Sequence, residues 1–165
     1  MTSKILVLFA TLILVWGSTG LVMAAPGEKE VPIIRQSFAS KEMRPGDVWK
    51  VYLKASDPGG KMKYIFATVF QPGVGFFPPS IIRIQGEKQK ELSGYIYLNT
   101  APATSSQLFN QTMTLSVTIQ GKGGVFSEPV VFNLYFNPRP KGEAPAEGVF
   151  QEQDLGPIMV TLNAA

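Results

Sequence analysis

From Thr112 to Gln120 the chain alternates with a period of two: Met113, Leu115, Val117 and Ile119 are apolar, and Thr114, Ser116, Thr118 and Gln120 between them are polar. Only a half-buried β-strand puts such a pattern to use, because successive side chains of a strand point to opposite sides of its sheet. The same period recurs along the chain. Trp49, Val51, Leu53 and Ala55 share one parity, as do Ile65, Ala67 and Val69, then Leu92, Gly94, Ile96 and Leu98, then Val130, Phe132, Leu134 and Phe136. With the shorter runs from Val31 to Phe38 and from Ser80 to Ile84, seven strands are predicted between residues 33 and 137, and no helix.

Turn-forming residues separate these runs: Pro45-Gly46, Pro58-Gly59-Gly60, Gln71-Pro72-Gly73, Gly86-Glu87-Lys88, Ala101-Pro102 and Gly121-Lys122-Gly123-Gly124. Short strands at this spacing predict an all-β fold, a seven-stranded antiparallel sandwich. After Asn137 the composition shifts to a Pro-rich linker, residues 138–148. A C-terminal segment follows, residues 149–165, in which Ile158, Val160 and Leu162 mark a candidate eighth strand. Such a strand leaves backbone groups unpaired in water, so it must find a sheet edge, in its own molecule or in a neighbour. The extended linker reaches roughly 34 Å, which favours the same molecule. Charge agrees, since residues 34–137 carry 11 basic and 6 acidic side chains and residues 138–165 carry 2 and 4.

The other end of the chain reads as an export signal. Lys4 precedes an apolar run from Ile5 to Val15, and Val22-Met23-Ala24 forms a small-residue cleavage site. The run is too short to span about 30 Å of hydrocarbon, so a permanent anchor is not expected. Residues 1–24 are the predicted signal peptide and residues 25–32 an N-terminal linker. The mature product is expected in the periplasm or outside the cell.

The sequence contains no His and no Cys. Nucleophile systems built on either, thiolate redox chemistry and the usual zinc ligand sets are excluded, and no cofactor motif is present. The net charge of +3 is too small and too scattered to predict nucleic-acid binding. The acids Asp47, Asp57, Glu87, Glu91 and Glu128 lie at or beside turns, a poor setting for paired-carboxylate catalysis. A non-enzymatic protein is expected.

The stretch Ala55-Ser56-Asp57-Pro58-Gly59-Gly60-Lys61-Met62-Lys63-Tyr64 resembles a motif of bacterial immunoglobulin-like and cadherin-like surface sandwiches. There a strand ends in Asp-Pro-Asp-Gly-Asp and the next begins with an apolar residue two before a Tyr. The resemblance implies an immunoglobulin-like, extracytoplasmic sandwich with this turn between its second and third strands. In such families the acids often bind calcium. Here Gly59 and Lys61 stand at the second and third acidic positions, so a metal site is not expected, and Asp57 is expected to cap its own turn.

Candidate binding residues come from the polar-facing parity. Tyr52, Tyr95 and Tyr97 lie opposite the core parity and should point outward, as one patch if the second and fifth strands pair. The patch could stack on sugar rings, anchor a protein partner, or serve as cross-strand pairing beneath the C-terminal segment. The loop Gln71 to Ser80 adds Phe76 and Phe77, which fit either a binding loop or a plug for the end of the sandwich. Lys50, Lys54, Lys61, Lys63, Arg83, Lys88 and Lys90 come from several elements and read as solvated surface. Together these features predict an exported binding or structural module of a bacterial envelope that contacts another protein, or alternatively a small carbohydrate-binding module using the tyrosines on a polysaccharide.

Overall fold

The computed structural model describes residues 31–100 and 108–162. The signal segment and the Ala101-Pro102 turn lie outside these residues. The strands are β1 (Ile33–Ala39), β2 (Glu42–Met43), β3 (Val48–Ser56), β4 (Met62–Gln71), β5 (Gly75–Phe76), β6 (Ser80–Arg83), β7 (Glu91–Asn99), β8 (Thr112–Gly121), β9 (Val130–Phe136) and β10 (Asp154–Pro157). Among the described residues there is no α-helix, and one 3-10 turn spans Gly86–Gln89.

Two sheets face each other. The first runs β1-β3-β7-β10, the second β2-β9-β8-β4-β5, and β6 pairs with β4 beside β5. The expected antiparallel arrangement needs correction, because both sheets are mixed: β10 runs parallel to β7, and β2 runs parallel to β9. Neither pair is a hairpin. Each brings a segment from a distant part of the chain to an edge, where no tight turn dictates an antiparallel direction.

The alternating parities define the core. Trp49, Val51, Leu53, Leu92, Ile96 and Leu98 of the first sheet meet Ile65, Val69, Met113, Leu115, Ile119 and Phe136 of the second, all buried. Trp49 is 2% exposed, donates its indole N–H to the Ser40 carbonyl at 2.9 Å and meets Phe132 edge-on. A Trp→Ala change at such a site costs about 3–5 kcal/mol. The register of β3 against β7 is continuous, from Val48 opposite Asn99 to Ser56 opposite Glu91. Residue parity therefore fixes what lies on the outer face of the first sheet: Lys50, Tyr52 and Lys54 from β3, and Ser93, Tyr95 and Tyr97 from β7.

Candidate functional site

The pairing of β3 with β7 sets Tyr52 directly opposite Tyr95, with ring centroids 5.6 Å apart, and Tyr97 follows at 6.4 Å from Tyr95. The three tyrosines share one face, as their parity predicts. They do not form an open platform, because the C-terminal segment runs over Tyr52 and leaves it 6% exposed. Phe150 stacks against the ring at 5.5 Å, and Phe38 of β1 flanks it at 6.4 Å. The Tyr52 hydroxyl donates to Glu152 at 2.7 Å, and the Lys50 ammonium pairs with the other oxygen of that carboxylate at 2.9 Å while lying 4.2 Å from the centre of the Tyr95 ring. Tyr95 and Tyr97 are half-buried.

These contacts shift the titrations of the cluster. Glu152 is held below its usual range, chiefly by Lys50 and then by the Tyr52 hydroxyl. Lys50 is raised, mainly by its hydrogen bond to Glu152. Burial raises Tyr52, and its bond to Glu152 adds to this.

The segment that covers the tyrosines is strapped down along its length. The Glu143 carboxylate accepts from the Lys41 amide, and its carbonyl accepts from Ser40. Further on, the Gln151 amide donates to Ser93 Oγ, the Tyr95 amide to the Gln153 carbonyl at 2.8 Å, and the Ile158 amide to the Tyr97 carbonyl at 2.7 Å. The strand itself is Asp154–Pro157, upstream of the Ile158, Val160 and Leu162 alternation expected to form it. Pro157 ends it rather than begins it. Ile158 and Leu162 instead enter the core at 3% and 6% exposure, and the Met159 amide donates to Ser80 Oγ, so the chain crosses from the first sheet towards β6.

Two glycines permit this close approach. A Cβ on Gly94 would lie 2.4 Å from the Gln153 carbonyl oxygen, and one on Gly156, where φ is +140°, would lie 2.9 Å from Ile82. The inward-facing glycine of β7 is therefore the place where the tail docks.

The outer face of the second sheet is different. Along β4 the outward residues are Tyr64, Phe66, Thr68 and Phe70. Tyr64 and Phe66 lie 6.3 Å apart, Phe126 from the β8–β9 loop meets Phe66 at 5.4 Å, and Phe76 on β5 meets Phe70 at 4.9 Å. Ile81 stands opposite Phe66 in β6. Phe76 is 79% exposed and Ile81 58%. Phe77, one residue on, turns inward against the core and donates its amide to the Val69 carbonyl. Of the two phenylalanines predicted for binding, Phe76 is available and Phe77 is a plug.

Tyr64, Phe66, Phe70 and Phe126 were not anticipated as surface residues. The signal for the first three is in the sequence, since Tyr64 to Phe70 is apolar on both parities except at Thr68, a pattern that asks for cover on both faces. Phe126 follows a glycine-rich turn, and only the fold brings it beside Phe66.

The remaining candidates are structural. Asp57 is fully buried and caps its turn: one carboxylate oxygen accepts from the Gly59 amide, the other from the Lys61 amide, and Gly60 at φ +60° completes the loop. Among the described residues no helix is long and apolar enough to cross a membrane. In comparisons with known proteins, no protein-family model and no curated protein sequence matches the chain.

Proposed function

We propose that this chain is an exported, non-enzymatic binding module of a bacterial envelope with an immunoglobulin-like strand order, which docks another protein on the outer face of its second sheet. The observation that carries this reading is the aromatic row Tyr64, Phe66, Phe70 and Phe76 with Phe126 and Ile81, whose Phe76 and Ile81 are largely exposed. Exposed apolar side chains gathered on one sheet face in this way are uncommon on a monomer, and aromatic side chains are the usual anchors of protein interfaces.

The order β1-β3-β7 in one sheet and β9-β8-β4 in the other supports the immunoglobulin-like reading, matching A-B-E against G-F-C. In that reading β10 stands where strand D would flank E, but runs in the opposite direction. The absence of His and Cys supports the non-enzymatic part. So does the use made of the acids: Asp57 caps a turn, Glu42 receives Asn137 and the Lys141 amide, Glu143 holds the Lys41 amide, and Glu152 holds Tyr52 and Lys50. Export rests on the Lys4, Ile5 to Val15 and Ala24 pattern.

The test is a photo-crosslinking residue at position 76, expressed in the native envelope. One discrete protein adduct is expected, lost on Phe66→Ser and absent when the probe is moved to Lys122. Equal adducts from both positions would remove the docking face. The carbohydrate alternative based on the tyrosines is weakened by the seat of Phe150 and Glu152 on Tyr52.

A further inference from the structure

The outer face of the first sheet holds a second feature at the end of β3 remote from Val48. There residues Gly148 to Gln153 of the strap, β1, the end of β3 and the start of β7 line a groove of about 1060 Å³. Its floor includes Lys54 and Ser56, and its far side is formed by the 3-10 turn and the start of β7, with Lys88 and Lys90.

The fourth cation is Arg35, and it is there because of a local irregularity. Ile34 pairs with Ala55 and Gln36 with Lys54, so Arg35 is an extra residue in the β1 ladder. Bulges re-aim a side chain. The Arg35 Nε donates to Ser56 Oγ at 3.0 Å, which holds the guanidinium at the groove. Lys54, Lys88 and Lys90 come from separate stretches of the sequence, and the fold gathers them with Arg35 around one groove. The ion pair between Lys50 and Glu152 uses none of the four.

We propose that this groove binds a linear acidic glycan, one whose carboxylates are spaced along an otherwise neutral chain of sugars. The cations come from three separate elements, β1, β3 and the 3-10 turn leading into β7. That suits an extended ligand with separated charges better than a single phosphate. Glu87 and Glu91 also line it. They would repel a ligand charged at every unit, such as polyphosphate or nucleic acid, but can accept hydrogen bonds from sugar hydroxyls. Ser93, Gln151 and Gln153 add neutral polar lining, and Phe150 supplies an apolar wall for the C–H face of a ring. The groove is at the upper limit of a small-molecule pocket, about 300–1,000 Å³. It is independent of the aromatic face of the second sheet.

Calorimetric titration of the purified protein with a hyaluronan hexasaccharide, in which each glucuronate alternates with a neutral N-acetylglucosamine, tests the assignment, with a neutral hexasaccharide and a glutamate hexapeptide as comparisons. The hyaluronan hexasaccharide is expected to bind, to weaken about tenfold or more on raising salt to about 0.5 M, and to lose about tenfold or more with Arg35→Gln plus Lys54→Gln. Lys88→Gln plus Lys90→Gln, which leaves the Arg35 to Ser56 bond in place, should reproduce the loss. Arg139→Gln, beside the turn at the opposite end of β3, should change nothing. Absence of binding, equal affinity for the neutral sugar, equal affinity for the glutamate peptide, or indifference to both double variants would each overturn it.

Discussion

Both sheets carry an aromatic row on the face turned away from the core, and the molecule treats the two rows oppositely. On the first sheet, Phe38, Tyr52 and Tyr95 lie in contact and Tyr52 is sealed beneath Phe150 of the chain's own tail. On the second, Phe66 lies among Tyr64 and Phe126, and Phe70 meets a Phe76 that is 79% exposed. The chemistry of the rows explains the difference. Tyr52 has a hydroxyl, and the tail brings Glu152 to accept from it and Lys50 to neutralise the carboxylate, so a short acidic tail can be held at a defined register. Phe66, Phe70 and Phe76 offer only apolar surface, which has no directional partner to select a segment and is best satisfied by another apolar face.

The comparison breaks first, and with the largest effect, at the tail. Removing residues 149–165 takes Ile158 and Leu162 out of the core and strips β10 from β7. Chemical denaturation should show a loss of ~3–6 kcal/mol from those two side chains alone, and the opened edge should promote association of copies. Unchanged stability would mean that the strap is not part of the folded unit.

Next in size is Gly94→Ala, which sets a Cβ against the Gln153 carbonyl. It should cost about 1–3 kcal/mol by overpacking. In the truncated chain the obstructing atoms are gone, so the cost should fall close to zero, a coupling that a double-mutant cycle measures directly. Equal costs in both backgrounds would assign the effect to β7 itself.

The latch is a smaller effect and is sharpened by pH. Glu152 titrates below its ordinary value of 4.5, so its contribution is complete above that value and disappears as pH falls through the lowered one. Lys50 and Tyr52 are raised from 10.5 and 10.0, so theirs are complete below those values and disappear as pH rises through the raised ones. Hydrogen-exchange protection of the Tyr95 and Ile158 amides, which bond the strap to β7, should be flat between these limits and fall at both ends. Glu152→Gln should remove the acid limb; an acid limb that survives it unchanged would place the latch elsewhere.

The smallest expected stability change is at the bare face. Phe76→Ser should alter unfolding free energy by no more than about 0.5 kcal/mol, while weakening the adduct formed by a photo-crosslinking residue placed instead at Ile81, on the same face. A large destabilisation there would show that Phe76 is covered after all.

Much of this was legible in order of residues. The parity of Trp49, Val51, Leu53 and Ala55 and of Met113 to Ile119 gave the core, because a strand's two faces are written into its odd and even positions. Asp57 with Gly59 and Gly60 gave its own turn, because an Asx cap involves only neighbours in sequence. The outward parity of Tyr52, Tyr95 and Tyr97 was equally readable, and so was an apolar tail in need of an edge.

What only the tertiary structure decided depends on contacts between residues far apart in the chain. Whether outward tyrosines are bare or covered turns on where the tail lands, and that is selected by Gly94, the one inward position of β7 without a Cβ, 59 residues from Gln153. The parallel direction of β10 and the displacement of its strand from Ile158–Leu162 to Asp154–Pro157 follow from that docking point. The gathering of Arg35 with Lys54, Lys88 and Lys90 follows from a bulge and a strand register. Periodicity fixes which face a side chain belongs to, but what stands over that face is settled by long-range packing, which no local pattern encodes.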